Sequence, residues 1–204
     1  MRLAASFLLL FIPAVVQAQD KDSLRIVKPC VAIDGENPLP ISLAREIVNA
    51  VSSEFEENVG IVFENTEFVL HDGDLSRNNF DHIIYLIRIC PPYFDFAIVL
   101  SGRPMLVRII RNFEGNVEDA YYRAGESESH YGVAIVYNVW DKLNSSFPIK
   151  VLKHELGHVF GLPHQSTYKE SFMYTLVDES LGLWTPDVVE AILKNKNRKW
   201  PLSR

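Results

Sequence analysis

The placement of three histidines, at residues 154, 158 and 164, limits what this chain can fold into more than any other feature. They belong to the segment His154-Glu155-Leu156-Gly157-His158-Val159-Phe160-Gly161-Leu162-Pro163-His164. Residues four apart on an α-helix stand one turn above each other on the same face. His154 and His158 therefore present two imidazoles to one point, and neutral imidazoles are zinc ligands. Glu155 projects beside a metal held there rather than onto it, where a carboxylate can take a proton from water. Gly161 follows His158 by three residues, and glycine adopts the left-handed backbone that stops a helix and turns the chain. Leu162-Pro163 then carries the chain back, so that His164 reaches the same point as a third ligand. Three protein ligands leave a fourth position for water, which is the pattern of a catalytic zinc rather than a structural one.

The other chemistry-bearing residues are less specific. Cys30 and Cys90 are the only cysteines, and an even count in an exported chain favours a disulfide between them. Two unrelated buried thiols are the alternative. His71, Asp72, Asp74, Asp81 and His82 fall in a polar stretch at 71–82. Oxygen ligands there would suit Ca2+ and a His/Asp mixture a second zinc, though a solvated loop accounts for the composition without either.

Residues 1–18 read as a secretory signal peptide. Arg2 precedes an apolar run from Leu3 to Val16, and Val16-Gln17-Ala18 places small residues at a cleavage site. The expectation is a chain secreted to the exterior, or to the periplasm of a bacterium, with no membrane attachment after cleavage. Lys+Arg is 20 against 26 Asp+Glu, a net charge of −6. That balance lacks the basic face of a nucleic-acid binder, so no nucleic-acid partner is expected, and a monomer is.

Along the chain, 24–34 reads as an apolar strand ending in an Asp34-Gly35 turn. Ser42 is placed to cap a helix whose apolar stripe is Leu43, Ile47, Val51 and Phe55, with Ala44 and Val48 beside it, ending before Gly60. Apolar runs at 60–63, 83–89, 94–100, 106–110 and 132–137 read as strands, and 112–131 as polar and turn-rich. Helices are expected over 148–161 and 185–194, the last with Thr185 at its N-cap and Pro186 in its first turn.

The histidine segment resembles the extended zinc signature H-E-x-x-H-x-x-G-x-x-H of the metzincin metallopeptidases. Ser171-Phe172-Met173-Tyr174-Thr175 resembles the methionine turn that family carries beneath its zinc. The wording Gly161-Leu162-Pro163-His164 with Met173-Tyr174 is most similar to the matrixin branch. Gln165 departs from it, since matrixins have serine after the third histidine and astacins glutamate. Lys28-Pro29-Cys30 resembles the matrixin latency motif only faintly, and a thiolate there is the rival of the disulfide.

The resemblance implies an α+β, zincin-like fold: a mixed twisted β-sheet with packed helices, an active-site helix, the Met-turn and a C-terminal helix. It implies a catalytic domain over 19–204, with an upper lobe of about 19–161 and a small lower lobe of about 162–204. The activity it implies is that of a zinc metalloendopeptidase. His154, His158 and His164 would hold one catalytic Zn2+, with Glu155 as general base for the attacking water and Met173 as an apolar floor. Tyr174, Thr175 and Leu176 would wall the pocket for the first side chain past the cut. The substrate would be a peptide or protein lying along a sheet-edge strand. A non-enzymatic binding module or toxin on the same scaffold, and an amidase, are the alternatives.

Overall fold

A computed structural model describes residues 23–35, 39–71, 90, 93–102, 105–111, 117–137, 146–175, 177 and 180–200, with backbone alone for 71, 105–111 and 117–123. The expected signal peptide, the loop at 72–82, the apolar run at 83–89 and Leu176 lie outside the described residues.

The centre is a five-stranded mixed sheet, α+β in class. Its order is β4 (Glu67–His71), β2 (Pro29–Asp34), β5 (Phe96–Leu100), β9 (Val133–Val136) and β8 (Gly125–Glu128). The first four run parallel, and β8 joins the edge antiparallel to β9, with Gly125 opposite Val136 and Glu128 opposite Val133. β1 (Arg25–Val27) and β3 (Ile61–Phe63) form a short parallel ladder of their own. Arg25 pairs with Ile61 and Cys30 with Glu67, so one extra residue enters between β3 and β4. Asn65 takes it up with φ +51°. β6 (Met105–Arg111) and β7 (Val117–Arg123) make a separate antiparallel pair.

The apolar run expected at 24–34 is thus two strands, broken at Lys28, whose backbone N–H donates to Asp95 Oδ2 at 2.8 Å. The polar, turn-rich reading of 112–131 is corrected by β7 and β8. Gly125-Glu126-Ser127-Glu128 has no apolar alternation, and its strand form comes from the ladder to β9.

Both faces of the sheet are buried, as parallel strands require. Val31, Ile33, Ile98, Leu100, Ala134 and Val136 meet helices α1 (Ile41–Val59) and α2 (Phe147–Val159). Cys30, Ala32, Ala97, Val99, Val133, Ile135 and Tyr137 pack with Cys90 and Phe94 on the other face. Cys30 and Cys90 form a disulfide there, with a Cα–Cα distance of 5.9 Å. This occupies the sulfur that a latency role would need.

α1 buries Ala44, Ile47, Val48, Val51 and Phe55, as its stripe predicts, and adds Val59. Ser42 is not its cap: the helix starts at Ile41, and the Pro40 carbonyl accepts from the N–H groups of Leu43 and Ala44. Gly60 ends it at φ +64°. The C-terminal helix α3 (Pro186–Asn195) has Thr185 at its N-cap position, but no side-chain hydrogen bond caps it. Phe55, Phe160 and Trp184 connect α1, the end of α2 and the chain leading into α3, with Phe55 ring centroids 5.6 Å from Phe160 and 4.9 Å from Trp184. Among the described residues no helix is long and apolar enough to cross a membrane.

Candidate active site

α2 carries the first two histidines because its length is set by apolar contact. Val151, Leu152, Leu156 and Val159 are buried against the sheet and α1. The helix ends at Val159, two residues short of the expected 161, with Phe160 as C-cap and Gly161 at φ +91° making the left-handed turn. That turn lets the chain return with His164.

The three imidazoles converge. His154 Nε2 lies 3.2 Å from His158 Nε2 and 3.1 Å from His164 Nε2. His154 Nδ1–H donates to the Phe172 carbonyl at 2.8 Å, and His158 Nδ1–H donates to the Leu162 carbonyl at 2.7 Å. Because a neutral imidazole carries one N–H, both Nε2 atoms are then bare lone pairs turned towards each other. Such an arrangement is repulsive unless a cation lies between them. Ligands about 2.0–2.1 Å from a tetrahedral zinc lie roughly 3.3 Å from one another, so the spacing and the tautomers both fit that ion. Burial also keeps the donors neutral. It drives the His154 pKa from 6.5 down to about 4, partly opposed by the Phe172 carbonyl and reinforced by the other two imidazoles. The His158 value is lowered as well, first by burial.

Glu155 is buried at 6% exposure and lies on the wall of a cleft that His158 and His164 also line. The cleft holds about 600 Å³. β8 forms one wall, and Glu155, His158 and the 161–164 turn line the other. Gly125 of β8 packs straight onto the glutamate: a Cβ there would stand 2.6 Å from Glu155 Oε1 and 2.6 Å from Val151 Cγ1. A residue of any larger type would displace the carboxylate.

Met173 is fully buried and rests against Gly157, between the two helical histidines. A Cβ at Gly157 would fall 2.2 Å from Met173 Sδ. The methionine turn is built by hydrogen bonds: Met173 N–H donates to Ser171 Oγ at 3.1 Å, and Tyr174 N–H to the Ser171 carbonyl at 3.1 Å. Tyr174 and Thr175 lie beside the third histidine's neighbour, Gln165, which bridges to Tyr174, and Thr175 N–H donates to the Gln165 carbonyl at 3.2 Å. Tyr174 is half-buried and Thr175 exposed.

Sequence reasoning missed Gly125, Gly157 and Lys153. Lys153 is buried directly before His154. Its Nζ donates to Glu54 Oε2 of α1 at 2.5 Å and to the Gly182 carbonyl at 2.6 Å, while Trp184 Nε1–H donates to the same Glu54 oxygen at 2.9 Å. Lys153 stands between Leu152 and His154, with Lys150 and Glu155 close by, and carries no local sign of burial, since lysine is rarely fully buried unless paired. The two glycines carry no local signal, because what approaches them comes from elsewhere in the chain.

No protein-family model and no curated protein sequence matches the chain. Solved structures do. Archaemetzincin from Methanopyrus kandleri superposes with a TM-score of 0.60 at 16% identity, covering 90% of this chain and 99% of that one. Metalloproteinase-II from Bacteroides fragilis superposes with a TM-score of 0.51 at 16% identity, covering 83% of this chain and 53% of that one. At this identity the likeness is one of fold alone.

Proposed function

We propose that the chain is a zinc-dependent endopeptidase of the metzincin type. The observation that carries the reading is the convergence of three Nε2 atoms, two with their other nitrogen spent on a backbone carbonyl, beside a buried carboxylate on a cleft wall. His154, His158 and His164 would hold the ion. Zinc in such a set supplies Lewis acidity, polarising a carbonyl and lowering the pKa of water towards ~7.

The chain's own groups do the rest. Glu155 takes the proton of the attacking water and returns it to the leaving amine. Gly125 leaves room for that carboxylate and fixes the β8 backbone against it. β8 is the end strand of its sheet among the described residues, so an extended peptide can pair with its outer edge. Tyr174, Thr175 and Leu176 are assigned to the pocket for the first side chain past the cut on family resemblance. The matrixin-like branch rests on the sequence wording at 161–164 and 173–174. Secretion after cleavage at Ala18, the lobes at about 19–161 and 162–204, and a monomeric state belong to the same reading.

Mass-spectrometric cleavage profiling on a peptide mixture tests it. Wild type should cut internal peptide bonds and stop on chelation. Glu155→Ala should keep stoichiometric zinc and lose at least about 10²-fold in rate, the lower bound for a general acid–base group. Full activity in that variant would refute the assigned role. A zinc-loaded wild type that cuts nothing would favour a binding module on the same scaffold.

A further inference from the structure

The three histidines are not held alike. His154 and His158 sit on a buried helix, and each is oriented by a backbone carbonyl. His164 lies beyond the turn and is exposed, and among the described residues its Nδ1 has no such partner. Its position must therefore come through the chain, and the adjoining residue, Gln165, is pinned on three sides. Gln165 N–H donates to the Met173 carbonyl at 2.9 Å, and its own carbonyl accepts from Thr175 N–H at 3.2 Å. Its side-chain Nε2 donates to Asp187 Oδ2, in the first turn of α3. A carboxylate only accepts, so the amide orientation is fixed by this contact. The other end of that amide, Oε1, is buried without a partner among the described residues. Leaving a buried acceptor unmatched costs stability, and here it accompanies the commitment of Nε2 to Asp187.

We propose that Asp187 is a positioning residue for the third metal ligand, acting through the Gln165 amide, so that the C-terminal helix sets the geometry of the metal centre. The inference rests on the zinc-site reading above. Metal-ligating histidines ordinarily owe their orientation to a hydrogen-bonded partner, and losing that partner weakens metal affinity 10–100-fold. For His164 that task passes to the neighbouring Gln165 and the Asp187 carboxylate that accepts from it.

The test compares Asp187→Ala with Asp187→Asn in the full mature chain. Both remove the charge from the first turn of α3, but only Ala removes the oxygen that accepts from Gln165. Zinc dissociation constants are measured by competition with a chromophoric chelator, the cobalt-substituted absorption spectrum reports ligand geometry, and the melting of the metal-free proteins reports the fold. Asp187→Ala should weaken zinc binding about tenfold or more and alter the cobalt bands. Asp187→Asn should stay within about threefold of wild type, and the two metal-free variants should melt together. Should Asp187→Ala not fold, Gln165→Met deletes the amide while leaving the helix intact, and it should weaken zinc to the same degree. Unchanged zinc affinity in both Asp187→Ala and Gln165→Met, or equal loss in the Ala and Asn variants, overturns the proposal. A wild type that binds no zinc brings down the zinc-site reading itself, and this inference with it.

Discussion

The two faces of the central sheet are both buried but are held in different ways. The face towards α1 and α2 is thick: aliphatic side chains from three strands meet two helices and an aromatic cluster. Among the described residues the opposite face is the thinner: Ala32, Ala97, Val99, Val133, Ile135 and Tyr137 of the strand side pack with Phe94, and the Cys30–Cys90 disulfide is its fastener. The histidine cluster stands on the thick side, because α2 can bury Leu152, Leu156 and Val159 while bringing His154 and His158 together with His164. Non-covalent packing therefore fixes the site, and a covalent link supports the layer that does not touch it.

The largest expected effect falls on the thin face. The disulfide closes a separation of 60 residues, and loop-closure entropy assigns such a link about 4 kcal/mol. Cys30→Ser with Cys90→Ser should lower denaturant stability by that order while leaving zinc affinity within about threefold. A comparable loss of zinc affinity would break the division between the faces.

Acid should act on the thick face. With its pKa at about 4 in the fold and 6.5 when unfolded, His154 binds its proton first in the unfolded chain. Stability of the metal-free protein is then full above pH 6.5 and falls as pH drops towards 4. The loss approaches about 3 kcal/mol from that group, with His158 acting in the same direction. Thermal melts between pH 7 and 4 measure it, and a flat profile would contradict the burial of His154.

Next comes Gly157→Ala, which forces Met173 Sδ away from its present place. Overpacking of this kind costs about 1–3 kcal/mol, and here it should weaken zinc binding too, since Met173 and Phe172 belong to one turn. Adding Met173→Ala should relieve the clash and recover part of the zinc affinity. If the single variant melts and binds zinc like wild type, the close approach is not what sets the floor of the site.

The smallest stability change is expected at the rim. Gly125→Ala meets Glu155 Oε1, the far end of a flexible side chain, and also Cγ1 of the buried Val151, so the carboxylate swings aside and Val151 gives way, at a cost of about 1 kcal/mol or somewhat more. Peptide cleavage should fall about tenfold or more, with zinc retained, because general-base catalysis depends on reach. Unchanged cleavage would remove Gly125 from the site.

Much of the centre is legible from the residues. His154, Glu155 and His158 share a helix, whose period relates neighbours a few residues apart, and Gly161 announces the turn that brings His164 back. The stripe of α1 and its stop at Gly60 are readable for the same reason. β8 is not: nothing in Gly125-Glu126-Ser127-Glu128 favours a strand, and only its pairing with β9 makes it one. Ser42 shows the converse error, a good capping residue passed over when the helix takes Pro40 at its N-cap and starts two residues earlier.

What the amino-acid sequence determined alone, then, is everything whose partners are near in the chain: the two-histidine helix with Glu155 on it, the glycine turn and the return of His164. Only the tertiary structure decided that Gly125 would press on Glu155, that Met173 would lie on Gly157, and that Asp187 would hold Gln165. The reason is physical. Helical spacing follows from backbone geometry common to every sequence, whereas contacts between distant segments depend on how the sheet and helices pack, which no local pattern encodes.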